Sequence, residues 1–283
     1  MKRRAKIMNR QAPVSLPAGY VDFYKNLETW QNVQQTKLKK SYTPAHINVP
    51  ELLSRTNKSI LQSVDFHLNA DQLRDVYQDL LRFLKQERPE VIDSLAKLEN
   101  KLDQLDFDLL PVKLLEEDQH YFSALSAKIE VPAELLIFTV DHALRPFLRL
   151  WAQPYYKDIA QDDLKSWNIA TICPFCGSKS HFSRLRSSDG RRFMFCDRCF
   201  TEWETRTIFC VHCGNDNPTT IQYISVEGEM AYQIYTCEEC KGYIKSFDER
   251  QKGSETDLFI ANIETVYLDM LAQEKGYTSH DND

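Results

Sequence analysis

Glycine is nearly missing from the first half of this chain, where only Gly19 precedes Gly177, and cysteine is missing before residue 173 and after residue 240. A stretch so poor in glycine has little use for turns of positive φ, which predicts helices joined by proline, asparagine and serine turns over residues 1–165. No apolar run approaches the roughly 20 residues that a bilayer span needs, which predicts no membrane insertion. The basic start MKRRAKIMNR is not followed by the apolar stretch of a secretory signal. Arg3 and Arg4 form an arginine pair, but QAPVSLPAGYVDFYKN lacks the apolar segment that export requires. The expected location is therefore cytoplasmic. A net charge of -6 opposes a protein whose main partner is nucleic acid. There is no G-x-x-x-x-G-K-[ST] phosphate loop, no G-x-G-x-x-G, no G-x-S-x-G elbow and no H-E-x-x-H helix, so the sequence predicts no enzyme.

What is present suits a soluble α+β protein: 283 residues, 42% hydrophobic and 27% charged, enough for a buried core and a wet surface. In NADQLRDVYQDLLRFLKQE the apolar residues Leu73, Val76, Tyr77, Leu80, Leu81 and Leu84 recur at three and four behind an Asn69 cap, which predicts an amphipathic helix. PAELLIFTVDHALRPFLRLWAQ is apolar on most faces and reads as the central buried helix, kinked or stopped near Pro146. From Ile172 the chain turns to short aromatic and β-branched runs ending near cysteines, the pattern of small ribbons. A final helix is expected with Ser254 as cap, Asp257 three residues on, a stripe of Phe259, Ile263, Val266, Met270 and Leu271, and Gly276 as stop. The expected organisation is a helical bundle at 1–165 with 1–14 disordered, four-cysteine ribbons at 166–207 and 208–252, and a C-terminal helix at 253–277.

All eight cysteines fall in four Cys-x-x-Cys pairs: Cys173 and Cys176, Cys196 and Cys199, Cys210 and Cys213, Cys237 and Cys240. This spacing lets a tight turn aim two sulfurs at one ion, and two such turns complete a tetrahedral shell. An interleaved arrangement joining Cys173 and Cys176 to Cys210 and Cys213 would resemble cross-braced zinc domains, but the β-rich segments 177–195 and 214–236 favour closure of neighbouring pairs; eight thiolates make two metal sites, for two metal ions. Disulfides are disfavoured in a reducing compartment. Thiolate shells accept zinc or a single iron, so both metals stay open. Cys173-Pro-Phe-Cys-Gly has the rubredoxin form and Cys210-Val-His-Cys-Gly keeps its glycine, whereas Phe200 and Lys241 replace that glycine in the other two knuckles. His181 and His212 lie close in sequence but find both shells full, and surface roles are expected for them. Glu117-x-x-His120 is half of a di-iron motif without its second half, which leaves His120 an ordinary helix residue.

The region around the knuckles resembles the formate dehydrogenase accessory protein (FdhE) family. The likeness rests on CPFCGS at 173–178, RRFMFCDRCFTEW at 191–203, IFCVHCGN at 208–215, CEECKGYIKSFDER at 237–250 and the closing TDLFIANIETVYLDMLAQEKGY; earlier, it is confined to helical character and segments such as HALRPFLR at 142–149. The resemblance implies a non-enzymatic maturation factor that binds the catalytic subunit of a formate dehydrogenase and carries rubredoxin-type iron or zinc sites at the eight cysteines. Two readings of other classes compete with it. One is a nucleic-acid-binding zinc-ribbon protein, using Arg184, Arg186, Arg191 and Arg192 interleaved with Phe182 and Phe193. The other is a rubredoxin-like electron carrier.

Overall fold

The computed structural model describes residues 16–160, 167, 170–226, 229–252 and 255–280, and the backbone of 6–8. Packing groups these residues into two units, one of residues 26–45 with 64–151 and one of residues 1–25, 46–63 and 152–283.

The first unit is helical. Its longest amphipathic helix, Ala70–Glu87, begins where the Asn69 side chain accepts from the Gln72 amide at 2.9 Å, and it buries all six apolar residues of the expected stripe. Burying each contributes about 1.5–3 kcal/mol before the entropy of ordering is subtracted. Tyr77 on that stripe meets Thr139 of the helix Ala133–Ala152, hydroxyl to hydroxyl, at 2.9 Å. Ala133–Ala152 is the buried helix, and Pro146 does not stop it. A proline there leaves the carbonyl of His142 without its usual helical donor. Gln31, fully buried, supplies one: its Nε2 donates to the His142 carbonyl at 3.3 Å and lies 3.0 Å from the His142 ring Nδ1.

The second unit is built on a seven-stranded mixed sheet. Its strands are β1 (Lys6–Met8), β2 (Phe182–Leu185), β3 (Arg192–Phe195), β4 (Glu202–Thr205), β5 (Ile221–Val226), β6 (Glu229–Cys237) and β7 (Tyr243–Asp248), in spatial order β1-β5-β6-β7-β2-β3-β4. The two expected ribbons are thus two antiparallel meanders, β2-β3-β4 and β5-β6-β7, fused where β2 runs parallel to β7 with Phe182 opposite Lys245. Residues 6–8, expected to be disordered, pair parallel with β5, while the remainder of 1–14 lies outside the described residues.

The C-terminal helical segment packs on this sheet but is not one helix. It starts at Asp257, whose side chain accepts from the Ile260 amide at 3.1 Å, and Ser254 lies outside the described residues. It breaks at Thr265, whose hydroxyl donates back to the Ala261 carbonyl at 2.7 Å, a local bond that competes with helical propagation. The break resets the apolar phase. Leu258, Phe259, Ile260, Ala261, Tyr267, Leu268, Leu271 and Ala272 are buried against the sheet, whereas Met270 of the expected stripe faces solvent.

Candidate metal centres

Each meander repeats one plan: knuckle, strand, strand, knuckle, strand. In all four knuckles the amide of the first cysteine donates to the carbonyl five residues on: Cys173 to Ser178 at 2.9 Å, Cys196 to Thr201 at 3.0 Å, Cys210 to Asn215 at 2.7 Å and Cys237 to Gly242 at 2.9 Å. In all four, the residue after the second cysteine has positive φ: Gly177 at 80°, Phe200 at 64°, Gly214 at 78° and Lys241 at 58°. The two knuckles without glycine are therefore folded like the two that have it. At Phe200 the left-handed backbone carries its own compensation, because the ring packs on Phe195 and Phe259 with centroids 5.5 and 5.8 Å away.

The four knuckles close in sequence order. Cys173, Cys176, Cys196 and Cys199 form one quartet and Cys210, Cys213, Cys237 and Cys240 the other, with all sulfurs of a quartet within 4.8 Å of one another. Across the knuckles Cys173 and Cys199 stand 3.5 Å apart and Cys176 and Cys196 3.6 Å, Cys210 and Cys240 3.5 Å and Cys213 and Cys237 3.8 Å. A tetrahedron with metal–sulfur bonds of about 2.3 Å has edges of about 3.8 Å, so each quartet is shaped to hold one zinc or iron ion, and the sulfurs are far from disulfide length. Burial pushes the Cys173 thiol well above its usual range, since four thiolates cannot share so dry a space without a cation. In the second quartet burial lifts Cys240 to about 11. Against the same burial, the Asn215 amide and the backbone N–H groups of Cys240 and Glu239 bring Cys237 down to about 7.

The position two residues past the second cysteine supplies outer contacts to sulfur. The Ser178 hydroxyl lies 3.3 Å from Cys176, the Thr201 hydroxyl 3.1 Å from Cys199, and the Gly242 amide donates to Cys240 at 3.3 Å. In the third knuckle Asn215 reaches instead to Cys237, donating from Nδ2 at 3.4 Å. Such contacts orient thiolates and tune their charge. A segment far away in sequence encloses the first quartet: the amides of Ile60 and Leu61, which open the helix Ile60–Ser63, donate to the carbonyls of Pro174 and Phe175, each at 2.9 Å. The Tyr156 hydroxyl donates to the Cys199 carbonyl at 2.6 Å. Sequence reading missed these supports because no local pattern links residues 59–61 to a knuckle. Ser59, which precedes Ile60, crowds the same turn: its Oγ would lie 3.2 Å from a Cβ placed on Gly177.

The histidines near the sulfurs stand outside both quartets. Half-buried His212 donates from Nε2 to the Tyr243 carbonyl at 2.9 Å, and burial lowers its pKa to about 4. It also explains Gly242, where any Cβ would come within 2.6 Å of the His212 ring. Glu117 and His120 are both exposed. The arginines considered for nucleic acid are engaged within the fold: Arg184 pairs with Glu202 and Glu249, Arg186 with Asp189, and Arg191 with Asp189 and Glu204. Arg192 is fully buried over the Tyr235 ring, and Phe182 and Phe193 are buried too, so these residues do not form an open basic and aromatic face. Among the described residues, no helix is long and apolar enough to cross a membrane.

Comparison with known proteins bears on the same region. Residues 172–206 match the family model "FdhE, central domain" and residues 208–282 match "FdhE, C-terminal domain". A curated FdhE homolog of Aquifex aeolicus is 35% identical over 145 residues, which is 48% of this chain and 50% of that protein. One of Shewanella oneidensis is 29% identical over 149 residues, 52% of this chain and 47% of that protein. The chain thus matches about half the length of these relatives. The crystal structure of the FdhE protein from Pseudomonas aeruginosa superposes with a TM-score of 0.58 at 19% identity, covering 91% of this chain and 86% of that one, a likeness of fold.

Proposed function

Because this chain belongs to the FdhE family, we propose that it is a non-enzymatic cytoplasmic accessory protein that binds the catalytic subunit of a formate dehydrogenase and is needed for that enzyme's maturation or activity. The observation that carries the reading is the pair of closed four-sulfur quartets set in one sheet. In this reading all eight cysteines are metal ligands, and each ion, iron or zinc, has a full shell with no open position for substrate. A closed thiolate centre contributes folding energy and fixes surfaces, which suits a protein whose work is recognition. When bound, the ion supplies the positive charge that lets the buried thiols ionise. The knuckle amides, Ser178, Thr201 and Asn215 then hold the thiolates in place.

The test joins client and metal. Affinity capture from the native host should co-purify a formate dehydrogenase catalytic subunit, with two metal ions per chain in the captured sample. Deleting the gene should lower formate dehydrogenase activity while the subunit's transcript is unchanged. Full activity in the deletion strain under conditions that demand the enzyme would overturn the reading. Visible absorption of the purified protein discriminates the metals, because ferric thiolate centres absorb there and zinc centres do not.

A further inference from the structure

The two quartets differ in how they meet solvent. Cys173, Cys176, Cys196 and Cys199 are 0%, 4%, 0% and 0% exposed. In the second quartet Cys210 and Cys237 are buried, Cys240 is half-buried and Cys213 is exposed. Beside Cys240 lies the chain's tail, laid down as one more extended segment. The Tyr243 amide donates to the Thr278 carbonyl at 3.1 Å, and the Thr278 amide donates to the Lys241 carbonyl at 2.8 Å. The Tyr277 hydroxyl donates to Glu238 within the fourth knuckle at 2.6 Å, and the His280 ring Nε2 donates to the Cys240 carbonyl at 3.1 Å while packing 4.9 Å from the His212 ring.

We infer that the second quartet is the exchange centre of this protein, entered by a competing ligand at Cys213, and that residues 277–280 are a strap that sets the exchange rate by holding the fourth knuckle shut. The inference rests on the metal-centre reading above. Ligand exchange at a thiolate centre begins when an incoming donor replaces one sulfur, and the freed thiolate takes a proton from water. Cys213 is the sulfur that an incoming donor can reach from solvent. For exchange to finish, the opposite knuckle must open, and the strap ties that knuckle through two backbone bonds and two side-chain bonds. The first quartet is enclosed by Ile60, Leu61 and Tyr156 and offers no such entry. The division of labour is then a closed centre that holds the sheet and an open one that can give up or accept its ion.

The experiment uses the full chain loaded with zinc and challenged with excess 4-(2-pyridylazo)resorcinol, with alkylation of released thiols mapped by mass spectrometry. Zinc should leave in two phases of equal amplitude, and Cys213 and Cys240 should be alkylated with the fast phase, Cys173 and Cys199 with the slow one. Thr278→Pro, which removes the amide bonded to Lys241, should speed only the fast phase, by roughly three- to tenfold. Tyr277→Phe, a milder change that leaves the backbone of the strap intact, should shift the same phase in the same direction by less. Equal release from both quartets, faster release from the first, or strap variants that leave the fast phase unchanged or speed both phases alike would overturn the inference. Failure of the wild-type chain to take up zinc, iron or cobalt at all would instead sink the metal-centre reading, and this inference with it.

Discussion

In two of the knuckles a residue other than glycine, Phe200 or Lys241, stands in left-handed backbone where glycine is the unstrained choice, and the two differ in what their side chains return. A non-glycine residue there costs about 1–2 kcal/mol, against which glycine loses about 0.5–1 kcal/mol in chain entropy. Lys241, exposed, sends its ammonium only to Glu238 and towards Tyr277. Lys241→Gly should therefore raise the stability of the metal-loaded protein by about 0.5–1 kcal/mol, read as a higher denaturant midpoint. Phe200→Gly should do the reverse, lowering stability by about 1–2 kcal/mol, because the half-buried ring it deletes is held between Phe195 and Phe259 and the packing lost outweighs the strain relieved. Gly242 sets the opposite constraint. Its Cβ would meet both His212 and Cys240 Sγ, at 2.6 and 3.1 Å. Gly242→Ala should cut bound metal from two ions per chain to one, and native mass spectrometry would show a stoichiometry still at two if the turn can yield.

Among the elements, the helix Ala133–Ala152 carries a proline through its buried stretch, and the Gln31 amide answers the carbonyl that the proline leaves unmet. The two residues should be coupled. Gln31→Leu should destabilise by about 1–3 kcal/mol, the cost of an unmet buried carbonyl, and by clearly less in a Pro146→Ala background where the helix supplies its own donor. Denaturant unfolding of the four proteins of the cycle measures this, and additive effects would mean that Gln31 does not act by answering the carbonyl that Pro146 leaves unmet. The pair also marks what was legible. Apolar periodicity foretold the helix and its burial, but its continuation past Pro146 depends on a partner a hundred residues away, which leaves no local trace. The same holds for the last helices. Asp257 and Ser254 are both fair caps by composition, and the break at Thr265 follows from a hydroxyl turning back onto its own helix, which any threonine can do and few do decisively.

At the scale of the molecule, the cysteine quartets were the most legible feature, since Cys-x-x-Cys spacing constrains sulfur positions directly and β-rich segments between pairs favour local closure. The joining of the two meanders was not. Parallel pairing of β2 with β7 needs only extended, buried residues on each strand, and it is sealed by Ser183 against Ser246 and by Arg184 reaching Glu249. Replacing Cys173 and Cys176 together by serine should leave one metal ion, at the second quartet, because the two shells share no sulfur. It should nevertheless lower the midpoint at which the second ion is lost to chelator, since both centres brace one sheet. A chelator midpoint equal to that of the wild type would mean that the β2 and β7 seam carries no coupling between them.

That seam has a consequence for how the chain is made. During synthesis β2 leaves the ribosome well before its parallel neighbour, and about sixty further residues must follow before β7 exists to pair with it. At elongation rates of about 5–20 residues per second the wait lasts several seconds, longer than hairpin formation by orders of magnitude. Over that interval the nascent first meander, complete in its four sulfurs and able to take its ion, presents the naked hydrogen-bonding edge of β2 to anything nearby. A cell short of metal would lengthen the interval during which that edge is frayed as well as open, so insoluble protein made under metal starvation should be dominated by chains arrested with β2 unpaired.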